Sequence, residues 1–223
     1  MAVINIRGDI VNNDDKWIYD WFDVEATCPK EVKELLEAAE DGETIEVIIN
    51  SGGGSVLAGQ EIYSALKGND KVSIKIQSLA GSAAGVIAMA GKSQISPVAM
   101  IMIHNVSMSG ASGDYHDMQK NAEILKQMNA AMAAAYTEKS GRSQEEILKL
   151  MDRETWLTAN QCLEYGFVDE IMSVGQLPVY TNSYAGMWLT EDKRQQAMTE
   201  KKQQEAKAAE AREILEDLEF YGV

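Results

Sequence analysis

The sequence predicts an α/β protein organised around a mostly parallel sheet. Short runs rich in valine and isoleucine alternate with helix-patterned runs through the first half of the chain. Glycines punctuate the junctions between them. A chain of 223 residues with 45% hydrophobic content is long enough to bury one sizeable core with an appendage, and it does not require two domains. Alternation of this kind builds βα crossovers, and these make neighbouring strands parallel.

The elements follow in order. "AVINIRGDI" reads as a strand. The run from Pro29 to Asp41 reads as a helix, with Pro29 near its start and Val32, Leu35, Leu36 and Ala39 along one face. "TIEVIIN" is the next strand, and the Gly52–Gly54 turn leads into a helix over "SVLAGQEIYSALKG" that stops at Gly68. "KVSIKIQSL" alternates apolar and polar residues as a strand should. A helix over "AGSAAGVIAMAG" follows, and "QISPVAMIMIH" returns to the sheet as short strands around Pro97. From Tyr115 to Lys139 a long helical segment carries Met118, Ala122, Leu125, Met128, Met132 and Ala135, a face suited to another helix or subunit. Its length predicts that part of it projects from the core. "SQEEILKLMDRETWLTANQCLEYGFVDEI" reads as two helices ending at Gly166 and a short strand, with capping-box spacing at Ser143/Glu146 and Thr158/Gln161. Gln176 to Gly186 is turn-rich. The tail from Glu191 to Val223 has nine acidic and six basic residues and is predicted to be helical or partly disordered, docking through its final turns.

Bulk composition excludes several functions. The formal net charge of -15 opposes binding to nucleic-acid backbones or anionic membranes. No run of about 18 apolar residues occurs and no cleavable leader opens the chain, so the sequence predicts a soluble, cytoplasmic protein. Two cysteines, Cys28 and Cys162, without paired spacing argue against a disulfide framework or structural zinc and read as small buried residues.

Two local features can carry chemistry. "NSGGGS", Asn50 to Ser55, lacks the lysine and spacing of a phosphate loop. It is either a plain tight turn or an oxyanion hole in which Gly53 or Gly54 offers an N–H to developing negative charge. Ser82 stands among alanines and glycines just before an apolar helix, which suits either close packing or an exposed nucleophile at the positive end of a helix dipole. His104 ends an apolar strand, at the carboxyl edge where parallel sheets hold their sites. His116, in a polar stretch, reads as a surface residue.

In this order and spacing, "INIRGDI", "EVIINSGGGSVLAGQEIYSALK", "SLAGSAAGVIAMAGK", "MIMIHN" and "ETWLTANQCLEYGFVDEI" resemble the proteolytic subunit of Clp proteases, over roughly residues 4 to 172. Within that family they resemble the shorter branch encoded by tailed phages and prophages near their capsid genes. The resemblance implies the ClpP/crotonase fold, a superhelical core of repeated ββα (βαβ) units with Tyr115 to Lys139 as the projecting handle between two rings. It implies a protease domain over residues 1–175 and a turn-rich segment with a charged tail over 176–223. Carried over, Ser82 is the nucleophile, His104 the base, and the N–H groups of Gly54 and Ala83 the oxyanion donors, supported by Gly52 and Gly53. The acid is Glu154, with Asp152 the competitor. No cofactor or metal is implied. The implied partners are copies of the chain in a seven-membered ring, single or stacked as fourteen.

The sequence also departs from the family. Gly52 replaces the usual proline of the turn, which relaxes that stretch. The first strand begins almost at once, without the axial segment that housekeeping members set beside their ATPase. The expectation is therefore processing of phage scaffold or capsid proteins, in the host cytoplasm or the prohead, with a Clp ATPase left open. The rivals are ATPase-dependent general proteolysis, a crotonase-type acyl-CoA enzyme, for which no Lys/Arg cluster is evident, and an inactive ring-forming scaffold-interaction protein.

Overall fold

In the computed structural model, residues 1–40, 42–173 and 191–221 are described. Eight strands among them form one sheet: β1 (Ala2–Ile10), β2 (Ala26–Thr27), β3 (Ile45–Gly54), β4 (Val72–Gly81), β5 (Lys92–Ile95), β6 (Met100–Ile103), β7 (Thr155–Thr158) and β8 (Glu170–Ile171). Their order is β2-β1-β3-β4-β5-β8, with β6 pairing both β4 and β7. Every pairing is parallel except β6 with β7. The sheet is therefore mixed, and β7 is the strand that the sequence reading missed between its last two helices.

Apolar alternation sets the centre. Ile4 and Ile6 on β1, Val47 and Ile49 on β3, and Ile74 and Ile76 on β4 have no solvent exposure. Each such side chain contributes about 1.5–3 kcal/mol relative to leaving it in water. Helices α1 (Lys16–Trp21), α2 (Pro29–Glu37), α3 (Val56–Leu66) and α4 (Ala83–Ala88) follow the strands in turn. The α2 face expected from the sequence is only half realised: Val32 is buried and Leu35 is exposed.

The long strand β4 changes partner halfway, and this positions the site. Its first half, Ser73 to Ile76, pairs with β5, and its end, Leu79 to Gly81, pairs with β6. Gly81 thus lies opposite Met102, and the residues that follow both strands emerge side by side.

Helix α5 (Tyr115–Ser140) opens with a capping box, Asp114 with Asp117, and ends at Gly141. Met132, Ala133, Ala135 and Tyr136 near its end are buried, whereas Tyr115, Met118 and Ile124 are exposed, so its first half projects as expected. Helices α6 (Gln144–Asp152) and α7 (Ala159–Tyr165) carry the two predicted capping boxes.

Helix α8 (Glu191–Tyr221) docks through its opening turns, and the side chains of its final turns, where the sequence reading placed the docking, lie outside the described residues. Arg194 grips the buried Asp15 carboxylate with both terminal nitrogens, Ala197 is fully buried, and Lys201 stands 4.1 Å from the Trp17 ring centroid. These opening residues meet an apolar patch on and around α1. The stretch from Gln176 to Gly186 lies outside the described residues. No helix among those described is long and apolar enough to cross a membrane.

Candidate active site

Ser82 sits at the corner between β4 and α4, with φ 52° and ψ -120°. A residue with a Cβ rarely takes a left-handed φ, at a cost of roughly 1–3 kcal/mol, and persists there only when its surroundings enforce it. Here they do. Ser82 N donates to Met102 O at 2.8 Å, which ties the corner to the end of β6. The corner aims Oγ outward, and His104, just past β6, brings Nε2 to 2.8 Å from it. Nε2 can accept the Ser82 proton only when the imidazole carries its own proton on Nδ1.

The glycine turn closes over the same point. Gly53 has φ 103°, and a Cβ there would lie 2.7 Å from Ser82 Cβ and 3.0 Å from Ala83 N. Gly54 has φ 149°, and a Cβ would strike Ile10 O at 2.2 Å. Glycine is therefore enforced at both positions by dihedral and by space. Nothing lies within 4 Å of a Cβ added at Gly52, so that position imposes no such demand. The Gly53 N–H donates to Ser51 Oγ at 3.1 Å, and Ser51 Oγ in turn donates to Gly8 O at 2.6 Å. With Gly53 engaged, Gly54 is the better candidate of the two for an oxyanion donor. Ala83 N belongs to the first turn of α4, where N–H groups lack intrahelical acceptors.

Among the described residues neither Asp152 nor Glu154 hydrogen-bonds to His104. Asp152 Oδ1 accepts from Asn105 Nδ2 at 2.8 Å, and Glu154, itself at φ 47°, accepts from Trp156 Nε1 at 3.3 Å. His116 is exposed, against Tyr115, as expected of a surface residue.

Ser82, His104 and the glycine turn open on a cavity of about 330 Å³. Val86, Met102, Val106, Met132 and Tyr136 are among the residues of its apolar wall. Burial drives the Tyr136 hydroxyl far above its ordinary pKa, so this wall stays neutral. The sequence reading missed Asp9 and Asn105 in the lining. Asn105 had a signal in its adjacency to His104. Asp9 had none, because its place depends on the pairing of β1 with β3. No group of three or more metal-ligating side chains gathers among the described residues.

This arrangement suits acyl transfer: a half-buried hydroxyl that lines the cavity, a base in contact with it, and backbone donors beside it. Comparison with known proteins agrees with that chemistry. A family model described as Clp protease matches residues 27–175. The ATP-dependent Clp protease proteolytic subunit 2 of Tropheryma whipplei is 35% identical over 142 residues, covering 61% of this chain and 78% of the relative. Subunit 1 of Chlamydia muridarum is 33% identical over 155 residues, 66% of this chain and 81% of the relative. The proteolytic subunit of Bacteroides fragilis is 32% identical over 141 residues, 61% and 68% respectively.

Proposed function

The chain belongs to the Clp protease family and is by that membership a serine-type endopeptidase, and on this premise we propose that Ser82 is its nucleophile and His104 its base. The observation that carries the assignment is the 2.8 Å contact between Ser82 Oγ and His104 Nε2 at a strained corner. Ser82 Oγ attacks the scissile carbonyl while His104 Nε2 takes its proton. The N–H groups of Gly54 and Ala83 hold the tetrahedral oxyanion, and His104 returns the proton to the leaving amine. Water, deprotonated by the same imidazole, then releases the acyl group. Glu154 remains the preferred acid over Asp152. Its bond to Trp156 is long at 3.3 Å and weak, whereas Asp152 is engaged by Asn105 at 2.8 Å.

For the substrate, we favour Clp-type proteolysis with an ATPase partner over processing of phage head proteins. The relatives named above are each ATP-dependent Clp proteolytic subunits. We read the core as the ClpP/crotonase repeat, residues 1–175 as the protease domain and 176–223 as its appendage. Rings of seven, single or stacked, are the assembly we propose, with the exposed Met118 and Ile124 of α5 as contact residues.

A serine-directed phosphonate tests the chemistry. The expected result is one adduct on Ser82 by intact mass, none on Ser82→Ala, and a fall in peptide turnover of about a million-fold with the fold unchanged. Peptide cleavage by Ser82→Ala at the parent rate overturns the mechanism, and absence of an adduct on assembled protein favours the acyl-CoA or inactive-scaffold rivals. The substrate is tested with a folded protein, with and without a Clp ATPase and ATP. Ser82-dependent fragments of scaffold or capsid protein without nucleotide would favour head processing instead.

A further inference from the structure

We infer that Asn129 is a positioning residue for the reaction: from helix α5 it fixes the backbone that carries His104, and so sets the base against Ser82. The inference rests on the catalytic reading of Ser82 and His104 given above. His104 is the first residue after β6, and from there to Asp114 the chain forms neither helix nor strand. Residues 107–120 are all exposed. The base thus stands between the end of a strand and a run at the surface, and something other than the sheet must hold it.

Asn129 supplies that hold. Val106 N, two residues beyond His104 and past the β6 ladder, donates to Asn129 Oδ1 at 2.7 Å. Between them Asn105 Nδ2 donates to Asp152 Oδ1 at 2.8 Å, which ties down a side chain, whereas Asn129 ties down the backbone itself. Positions 129, 132 and 136 fall on one face of a helix with 3.6 residues per turn. Met132 and Tyr136 are buried and line the cavity, and Asn129 is half-buried beside them. The packed end of α5 is therefore joined to the His104 segment by one hydrogen bond. The residue type fits this task. Asparagine weakens a helix relative to alanine, such as the Ala130 and Ala131 that follow it, because its amide competes for backbone partners. Here the amide oxygen takes a backbone N–H outside its own helix. The demand is strict, since displacing a reacting group by about 1 Å costs roughly a hundredfold in rate.

The experiment compares the assembled full chain with Asn129→Leu, which keeps the shape and removes the acceptor, and with Asn129→Asp, which keeps the acceptor. Active sites are counted by complete reaction with the serine-directed phosphonate. For one fluorogenic peptide, kcat and KM are read on the pH plateau of each protein, well below its unfolding midpoint. Asn129→Leu is expected to take the phosphonate on Ser82 to completion, more slowly than the parent, and to lose about ten- to a hundredfold in kcat per site with KM within about threefold. Asn129→Asp should recover most of that loss. Asn129→Ala carries the same expectation as Asn129→Leu and replaces it if leucine prevents folding. A parent value of kcat per site in the folded variant overturns the inference. So does a rise in KM at unchanged kcat, which would assign Asn129 to shaping the peptide site through Val106. An Asn129→Asp protein as slow as Asn129→Leu overturns it as well, because the hydrogen bond would then not be the cause. If the parent itself takes no phosphonate and cuts no peptide, the catalytic reading falls and the role of Asn129 falls with it, an outcome distinct from equal rates in parent and variant.

Discussion

Two apolar clusters form among the described residues, and they are built differently. The large one runs from Ile4 to Val168 through the sheet and helices α2 to α7, and it is almost purely hydrocarbon packing on paired strands. The small one gathers Val11, Ile18, Tyr19, Cys28 and Ala197, with Trp17, Phe22, Val24 and Ala26 alongside. It joins the segment after β1 to α8 and is fastened by polar contacts, Arg194 to Asp15 and Lys201 over Trp17. Residues 27–175, which match the Clp protease model, contain most of the large cluster and little of the small one. Ser82 and His104 are positioned by the large cluster. The small cluster reaches the cavity through the Tyr19–Asp9 hydrogen bond. The cavity is thus met by two parts of the chain, the large cluster beneath Ser82 and His104 and the small one behind Asp9.

Removing packing from the large cluster should have the greatest effect. Ile76 is fully buried on the strand that leads to Ser82, so Ile76→Ala is expected to cost about 2–5 kcal/mol in urea denaturation and lower peptidase activity with it. A smaller, local loss is expected from Arg194→Ala, which leaves the buried Asp15 carboxylate unpaired at a cost of about 1–3 kcal/mol. Hydrogen exchange should then quicken over residues 11–28 and leave β3 and β4 unchanged. Equal loss of protection in both regions would mean that the two clusters unfold as one.

The two cysteines report on the same contrast without mutation, since Cys28 belongs to the small cluster and Cys162 to the large one. Burial raises the Cys28 thiol above its ordinary value and pushes Cys162 up to about 12, so neither reacts at pH 8 unless its cluster opens. Labelling with a thiol reagent under native conditions should modify Cys28 first and Cys162 only on global unfolding. Equal rates would remove the distinction.

The smallest effect concerns the edge of the large cluster. Burial pushes the Asp169 carboxyl up, and the hydrogen bonds from Lys139 Nζ and Ser93 N together with the Lys139 charge outweigh it, holding its pKa below the ordinary carboxylate value. A carboxylate depressed on folding stabilises the protein above its unfolded pKa, and this contribution is lost as pH falls through the folded one. Asp169→Asn should therefore cost less than about 1 kcal/mol at pH 7, and the difference from wild type should close as pH falls below about 4.

Much of this was legible in the amino-acid order. Strands β1, β3 and β4 announce themselves by alternation, α5 by its length and spacing, and α6 and α7 by their capping boxes, because each depends on residues within a few positions of one another. Ser82 among small residues and His104 at a strand end were likewise local signals. What tertiary structure decided is nonlocal. β7, four residues in "ETWLT", is a strand because β6 pairs with it, and it is too short for periodicity to mark. The opening of α8 docks because Asp15, Trp17 and Tyr19 receive it from the other end of the chain. Asp9 lines the cavity because parallel pairing sets it against Gly53, 44 positions later. A sequence pattern records which face of an element is apolar. Which distant element covers that face is settled only when strands choose partners, and that choice is a property of the whole folded chain.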